Sequence, residues 1–224
     1  MKVVLLHAFP LDERIWEGLE LDDVVAPRLY GRGNSIEGWG AQLLEELDGE
    51  FAAVGASMGG YCALELLRQA PERIRALALV GSRAEADSPE RRVGRDATIR
   101  HIEQDGVEAM WDELRPRLFS EFADSGVVER ARSLALEHTP EELIAAVEAM
   151  RDRSDSSQTA RGFFGPALVA AGGSDAFFTP DEARTLAKSM PAASVYVFAG
   201  CGHLPSLERP DEFAHVLTEL LARV

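Results

Sequence analysis

The stretch from Phe51 to Leu67, FAAVGASMGGYCALELL, changes abruptly from one apolar pattern to another. Its first residues are continuously apolar or small, as in a strand that is buried on both faces of a sheet. The residues after Met58 are apolar at helical spacing. Between the two halves lies Gly-Ala-Ser-Met-Gly at 55–59, which matches the pattern G-x-S-x-G. A strand that turns directly into a helix limits the chain to a layered fold of strands and helices.

The glycines of this motif have a steric role. A strand that turns at once into a helix brings backbone close to backbone and strains the central residue. Side chains at Gly55 and Gly59 would obstruct that approach. We therefore expect a sharp turn that holds the hydroxyl of Ser57 out at the carboxyl edge of the sheet.

The same alternation of apolar runs and helix-like segments recurs along the chain and predicts an α/β fold. The runs are continuous rather than alternating, so we expect a parallel sheet with helices on both faces. The predicted strands are 3–6, 23–26, 51–55, 76–80, 167–171 and 194–198, and the predicted helices of this core are 37–48, 58–69, 180–189 and 210–222.

A long charged segment, residues 84–161, separates the fourth and fifth predicted strands and contains no strand-like run. Its apolar residues recur at helical spacing, which predicts a helical cap. The core would then consist of residues 1–83 and 162–224. Two tetrapeptides, Thr139–Glu142 and Thr179–Glu182, have the composition of a capping box with proline at the first helical position.

Composition excludes several classes of protein. With 38 acidic and 23 basic residues among 224, the formal net charge is −15, which repels nucleic acids and anionic membrane surfaces. Cys62 and Cys201 are too few for a disulfide framework and lack zinc-site spacing, so we expect a reduced, cytoplasmic setting and no metal. No apolar run is long enough for a membrane span or a signal peptide. The oligomeric state stays open.

Ser57 requires two partners to act as a nucleophile. Its hydroxyl needs a base to accept the proton, and the base needs a carboxylate to fix its tautomer. His203 lies in the glycine-rich loop GCGHLP after the last predicted strand, and Asp175 ends AGGSD after the fifth. All three lie at carboxyl ends of strands, where open α/β sheets place their sites. We predict Ser57 as nucleophile, His203 as base and Asp175 as acid.

Other acidic and histidine residues are weaker candidates. Asp87 also follows a predicted strand, but it lies about seven residues beyond the end of that strand. His7 is expected to form a hydrogen bond within its own loop rather than to transfer a proton. Surface or packing roles are expected for the remaining histidines, His101, His138 and His215.

Acyl transfer also requires N–H groups that stabilise the developing oxyanion. The amide of Met58 follows the nucleophile directly. The second donor is predicted to be the amide of Phe9 in the loop His-Ala-Phe-Pro at 7–10, since Pro10 has no N–H group. Four large apolar residues of the insertion could either line a substrate pocket or pack in the core: Trp111, Phe119, Phe122 and Met150.

The motifs HAFP, GASMGG, GGSD and GCGHLPSLERPDEF resemble the oxyanion loop, nucleophile elbow, acid turn and histidine loop of the α/β-hydrolase superfamily. The resemblance covers nearly all of the chain outside 84–161 and is greatest to small esterases and enol-lactone hydrolases. It implies a serine hydrolase without a cofactor, acting on a small-molecule ester or lactone through an acyl-enzyme on Ser57. Many relatives have a hairpin before the first strand of this chain, so we expect a trimmed, all-parallel sheet of six strands.

The resemblance leaves two alternatives open. The same three residues serve some relatives in carbon–carbon bond hydrolysis or in proton abstraction leading to elimination. A ligand-binding protein that retains the pocket without turnover is the other alternative. The chain also has Ala8 where relatives usually have glycine, which would shift the oxyanion loop if that position needed a positive φ angle.

Overall fold

The computed structural model describes all 224 residues, and its strands form one sheet. All neighbouring strands are parallel, and their order is β2-β1-β3-β4-β5-β6. The predicted α/β fold with a six-stranded, all-parallel sheet is confirmed. The strands are β1 (Lys2–Leu6), β2 (Val24–Val25), β3 (Phe51–Ala56), β4 (Ile74–Val80), β5 (Ala167–Gly172) and β6 (Ala193–Phe198).

The sheet is apolar on both faces because each face meets its own core. Alternate residues of a strand project to opposite sides. Val4 and Leu6 of β1 belong to one buried cluster, while Val3 and Leu5 belong to a second cluster on the other side. The central strands are almost wholly buried, whereas the edge strand β6 is partly exposed. This arrangement explains why the predicted strands read as continuous apolar runs.

Helices cover both faces of the sheet, and each predicted core helix begins and ends within two residues of its prediction. Short 3-10 turns lie at Glu13–Trp16 and Pro71–Arg73. No helix is both long enough and apolar enough to cross a bilayer. The helices are α1 (Ile36–Glu46), α2 (Met58–Gln69), α3 (Pro89–Leu118), α4 (Ser125–Leu136), α5 (Pro140–Asp152), α6 (Ser157–Arg161), α7 (Pro180–Ser189), α8 (Pro205–Glu208) and α9 (Pro210–Leu221).

Both predicted capping boxes are present. The Thr139 hydroxyl accepts a hydrogen bond from the Glu142 amide at 3.3 Å, and the Glu142 carboxylate accepts one from the Thr139 amide at 3.1 Å. Thr179 and Glu182 make the same reciprocal pair at 3.2 and 2.8 Å. Free amides at the starts of α5 and α7 are thereby satisfied by local sequence.

The segment between β4 and β5 consists of α3 to α6 and contains no strand. Helix α3 is broken at Gly106, where φ is 86° and ψ is 177°, so two helical arms meet at an angle. Its second arm contributes to both cores of the molecule, with Met110 in one cluster and Trp111 in the other. The inserted helices therefore contribute side chains to both buried clusters.

Ion pairs connect the inserted helices to the loop after β1. The carboxylate of Asp12, which is fully buried, lies 3.4 Å from His138 Nε2 and 2.6 Å from Arg14 Nη2. Arg14 also reaches Glu137 at 2.7 Å. Burial alone would raise the pKa of Asp12, but the contact with His138 and the hydrogen bonds from Arg14 hold it well below its usual range.

His7 joins the loop after β1 to the segment after β2. Its Nε2 accepts a hydrogen bond from the Leu29 amide at 2.9 Å, so Nδ1 carries the proton and donates to the Ala8 carbonyl at 3.3 Å. The expected bond within its own loop is present, and the bond to Leu29 is additional. Complete burial lowers the pKa of His7 to about 4. The ring is therefore neutral near neutral pH.

The buried neutral ring of His7 predicts acid sensitivity. Below pH about 6.5 the unfolded chain protonates this imidazole, whereas the folded chain resists protonation until pH about 4. The free energy of unfolding should fall by about 2 kcal/mol between pH 7 and pH 5 because of this group. Asp12 contributes to the pH dependence of stability in a separate pH range, below its unperturbed pKa of 3.8.

Urea unfolding of wild type and His7→Gln at both pH values measures this effect. The decrease in stability should be smaller in His7→Gln, and the exposed control His215→Gln should retain the wild-type pH dependence. An unchanged pH dependence in His7→Gln would contradict the assignment.

Candidate active site

Ser57 lies at the sharp turn between β3 and α2. Its φ and ψ angles of 51° and −111° are outside the regions that residues with a side chain usually adopt. The surrounding backbone holds it there: the Ser57 amide donates to the Val80 carbonyl at 2.8 Å. The Ser57 carbonyl accepts hydrogen bonds from the Gly60 amide at 3.0 Å and from the Ser82 hydroxyl at 2.9 Å. The position of Ser57 is thus fixed relative to β4.

The glycines of the motif permit the close contact that this turn requires. A Cβ atom on Gly55 would lie 2.3 Å from the Gly59 carbonyl oxygen, and one on Gly59 would lie 2.0 Å from the Leu6 carbonyl oxygen. Both distances are far shorter than any van der Waals contact. The steric role expected from the sequence is therefore present, and it includes contact with β1 as well as within the motif.

Asp175 and His203 meet at the carboxyl edge of the sheet, after β5 and β6. His203 Nδ1 donates to Asp175 Oδ2 at 2.8 Å, and both residues are buried. The other carboxylate oxygen of Asp175 accepts the amides of Phe177 and Phe178 at 2.7 and 3.0 Å. Since a carboxylate can only accept, the proton lies on Nδ1 of His203. Nε2 is left free to accept a proton.

Two further glycines make room for this pair. Gly81, which follows β4, has a φ of 60°, and a Cβ atom there would lie 2.8 Å from His203 Cε1 and 3.3 Å from Asp175 Oδ2. A Cβ atom on Gly172 would lie 1.8 Å from the Gly202 carbonyl oxygen. The loops after β4, β5 and β6 can therefore converge only because these positions lack side chains.

The loop that carries His203 is attached to the inserted helices. The His203 amide donates to the carbonyl of Leu118, the last residue of α3, at 2.8 Å. The Glu208 carboxylate accepts from the Gly202 amide at 2.8 Å and from the Ser120 hydroxyl at 2.6 Å. The end of α3 thus fixes the position of the histidine loop.

Ser57 and His203 line one cavity of about 570 Å³ at this edge of the sheet. No direct hydrogen bond joins the two side chains; contacts of this kind are often long in proteins without a bound substrate. Phe9 and Tyr61 line the cavity from the core, and α3 covers it from the side of the insertion. The cavity is large enough for a small organic molecule.

The two predicted oxyanion donors lie beside Ser57 in the fold. Phe9 lines the cavity, and its amide donates to no acceptor in the protein. Met58 is the first residue of α2, so its amide has no acceptor within the helix. Ala8 is fully buried and does not have a positive φ angle, so its methyl group causes no strain in this loop.

The alternative carboxylate, Asp87, lies in a different ion cluster. Its two oxygens lie 3.1 Å from Arg95 Nε and 2.7 Å from Arg153 Nη1. Burial would raise the pKa of Asp87, but these two guanidinium groups hold it below its usual range. The other downstream histidines pair with neighbouring acids: His101 with Asp105, His138 with Asp12 and His215 with Glu219.

Of the four apolar residues considered for substrate contact, only Met150 lines the cavity. Trp111 and Phe119 are buried against each other, with ring centroids 6.2 Å apart. Phe122 is 67% exposed and lies on the surface beside Gly200. Trp111 and Phe119 thus take the packing alternative, and the exposed Phe122 takes neither, because helical spacing identifies an apolar face without showing which neighbour covers it.

Sequence reasoning missed two residues close to His203. The ring of Phe177 lies 4.9 Å from the imidazole, centroid to centroid. The guanidinium carbon of Arg117 lies 4.0 Å from the centre of the Phe177 ring, and both residues line the cavity. Phe177 could have been identified from the sequence by its position two residues after Asp175. No group of His, Cys, Asp and Glu side chains is arranged to hold a metal ion.

Solved structures with this fold include two informative neighbours. A thermophilic esterase from Thermogutta terrifontis, solved with malate bound, superposes with a TM-score of 0.92 at 31% identity, covering 99% of this chain and 89% of that one. An enol-lactonase from Burkholderia xenovorans superposes with a TM-score of 0.83 at 25% identity, covering 99% and 91%.

Sequence comparison agrees with the structural one. The pimeloyl-[acyl-carrier protein] methyl ester esterase of Aromatoleum aromaticum is 26% identical, with 98% of this chain and 97% of that protein aligned. The model of the Alpha/beta hydrolase family matches residues 3–216, nearly the whole chain. The chain therefore belongs to the α/β-hydrolase family, as its motifs predicted.

Proposed function

We propose that this hydrolase cleaves a small carboxylic ester or lactone through an acyl-enzyme on Ser57, with His203 as base and Asp175 as acid. The observation that carries the proposal is the 2.8 Å hydrogen bond between His203 and Asp175 beside a cavity that Ser57 also lines. The names of similar proteins, two esterases and an enol-lactonase, support the ester or lactone bond as the target. The malate bound to one of them is compatible with a polar organic substrate.

In the first half of the reaction, Ser57 Oγ attacks the carbonyl carbon while His203 Nε2 accepts the hydroxyl proton. Asp175 stabilises the imidazolium that forms and keeps the ring in the correct tautomer. The amides of Phe9 and Met58 stabilise the oxyanion of the tetrahedral intermediate. The intermediate collapses when His203 returns its proton to the leaving alcohol, which leaves an ester between the acyl group and Ser57.

In the second half, water attacks the acyl-enzyme and His203 accepts one of its protons. Collapse of this second intermediate releases the carboxylic acid, and the proton returns to Ser57. Residues 84–161 act in this scheme as a helical cap, since α3 and Met150 line the cavity opposite the sheet. The acidic net charge and the two buried, unpaired cysteines support a cytoplasmic setting without a nucleic-acid partner.

Replacement of the nucleophile is the first test. Ser57→Ala should abolish hydrolysis of short activated esters and lactones, and wild type should accumulate an acyl adduct on Ser57 detectable by mass spectrometry. Ser133→Ala, an exposed serine on α4, is the matched control and should retain full activity. Turnover in Ser57→Ala would refute the proposal, and turnover in wild type without an adduct would favour carbon–carbon hydrolysis or elimination.

The acid is tested separately. In Asp175→Asn the side-chain oxygen can still accept the amides of Phe177 and Phe178, so the loop should fold normally. The amide nitrogen would then face His203 and favour the wrong tautomer, so kcat should fall by about 10⁴-fold. Asp181→Asn, whose side chain is 92% exposed, is the control. Equal activity of Asp175→Asn and wild type would exclude this carboxylate as the acid.

Substitution of Gly81 tests whether the His203–Asp175 pair needs the space that the missing side chain leaves. Gly81→Ala would push a methyl group against His203, and we expect kcat/KM to fall by about 100-fold, as for a reacting group displaced by about 1 Å. Gly31→Ala has a similar positive φ, 82°, but opens onto empty space, so it controls for backbone strain alone. Similar kinetics in the two variants would show that contact with His203 is unimportant.

A further inference from the structure

The cavity that contains Ser57 has a charge balance opposite to that of the whole chain. The formal net charge of the protein is −15, so its long-range field repels anions. Guanidinium groups nevertheless outnumber carboxylates around the cavity. The charged residues that line it are Arg83, Arg91, Arg95, Arg117, Glu113 and Glu182.

Both glutamates of the cavity are already paired. Glu182 Oε1 lies 2.6 Å from Arg83 Nη2 and 3.7 Å from Arg91 Nη2. Glu113 lies 3.5 Å from His101 Nε2, within the same helix α3. The charge of Glu182 is therefore compensated by two guanidinium groups, whereas His101 compensates Glu113 only when its ring is protonated.

Arg117 differs from the other arginines of the cavity. Arg95 donates to Asp87, whereas the side chain of Arg117 makes no hydrogen bond and no ion pair. It stacks on the ring of Phe177, whose other neighbour is the imidazole of His203. Stacking on an aromatic face restricts the plane of a guanidinium group and leaves its N–H edge free for a ligand.

The position of Arg117 limits the shape of that ligand. The two stacking distances place its guanidinium carbon within about 9 Å of the His203 ring centre. A carbonyl carbon under attack by Ser57 would lie beside His203, so an anionic group bound to Arg117 would be a few carbon atoms away. A single unpaired guanidinium matches one negative charge, and its planar fork fits a carboxylate.

We propose that Arg117 binds a carboxylate of the substrate, which makes the preferred substrate a half-ester of a short dicarboxylic acid or a lactone that bears a carboxylate. This inference rests on the proposed hydrolysis at Ser57 and names its substrate class. Arg117 acts as a specificity residue: it binds the end of the substrate that does not react.

A pair of substrates of equal shape tests the charge directly. Monomethyl glutarate carries the carboxylate, and its monoamide, methyl 4-carbamoylbutanoate, replaces that carboxylate with a neutral amide. Wild type should hydrolyse the anionic ester with a kcat/KM about tenfold higher, as expected for a charged hydrogen bond, and added salt should reduce the difference. Equal kcat/KM values for the two esters would overturn the inference.

Variants assign the preference to one residue. Arg117→Gln should lose the tenfold preference by raising KM for the anionic ester, with kcat/KM for the amide changed less than about twofold. Arg117→Lys should retain part of the preference for the anionic ester. Arg115 is an exposed arginine two residues away, and the control variant Arg115→Gln should retain the whole preference. An equal loss for both esters in Arg117→Gln would indicate a structural role and overturn the inference.

Binding without turnover separates this inference from the hydrolytic proposal. Calorimetric titration of Ser57→Ala with monomethyl glutarate should show affinity that disappears in Ser57→Ala/Arg117→Gln. Hydrolysis of both esters without an anionic preference contradicts the Arg117 inference alone. If wild type hydrolyses neither ester but binding still depends on Arg117, the proposed function alone is contradicted. If monomethyl glutarate does not bind to Ser57→Ala, the Arg117 inference is contradicted.

Discussion

The contact of α2 with the sheet at Gly55 and Gly59 is the constraint on which the rest of the site depends. The Cα of Gly59 approaches the carbonyl of Leu6 so closely that no side chain fits between them. This contact holds the start of α2 against β1 and β3, and it forces Ser57 into a strained conformation at the edge of the sheet. The strain persists because the Ser57 amide donates to the Val80 carbonyl at the end of β4, and the Ser82 hydroxyl, just after β4, donates to the Ser57 carbonyl.

The parallel sheet then supplies the other two groups. Because all strands run in one direction, the loops after β3, β5 and β6 leave the sheet at the same edge, and residues over a hundred positions apart in the chain become neighbours. The convergence is tight: Gly81 and Gly172 are the positions where a methyl group would collide with the histidine loop or its imidazole. The geometry of the His203–Asp175 pair thus depends on backbone packing as much as on the pair itself.

The inserted helices contribute to the site at three levels. Their apolar residues complete both buried clusters. Their charged residues pair with Asp12 and Arg14 in the loop after β1. The end of α3 forms a hydrogen bond with the loop that carries His203. The same end of α3 places Arg117 on Phe177, next to the imidazole. A segment that resembles an independent insertion in the sequence is therefore connected to the proposed chemistry by direct contacts.

Local signals in the sequence were sufficient for the strands, the core helices, the two capping boxes and the elbow at Ser57. Each depends on neighbours within about four residues, where apolar period, glycine and caps act directly. The choice of Asp175 and His203 also followed from position, since each lies in the loop that follows a predicted strand.

What the sequence left open depends on contacts between distant segments. A helical stripe showed that Trp111 would be buried, but only the folded chain places it against Phe119 rather than in the cavity. Neither the pairing of Asp87 with Arg153 nor the unpaired state of Arg117 could be read from spacing, because both depend on which charged groups of other elements come within reach. Periodicity specifies which face of an element is buried, and tertiary packing specifies what that face meets.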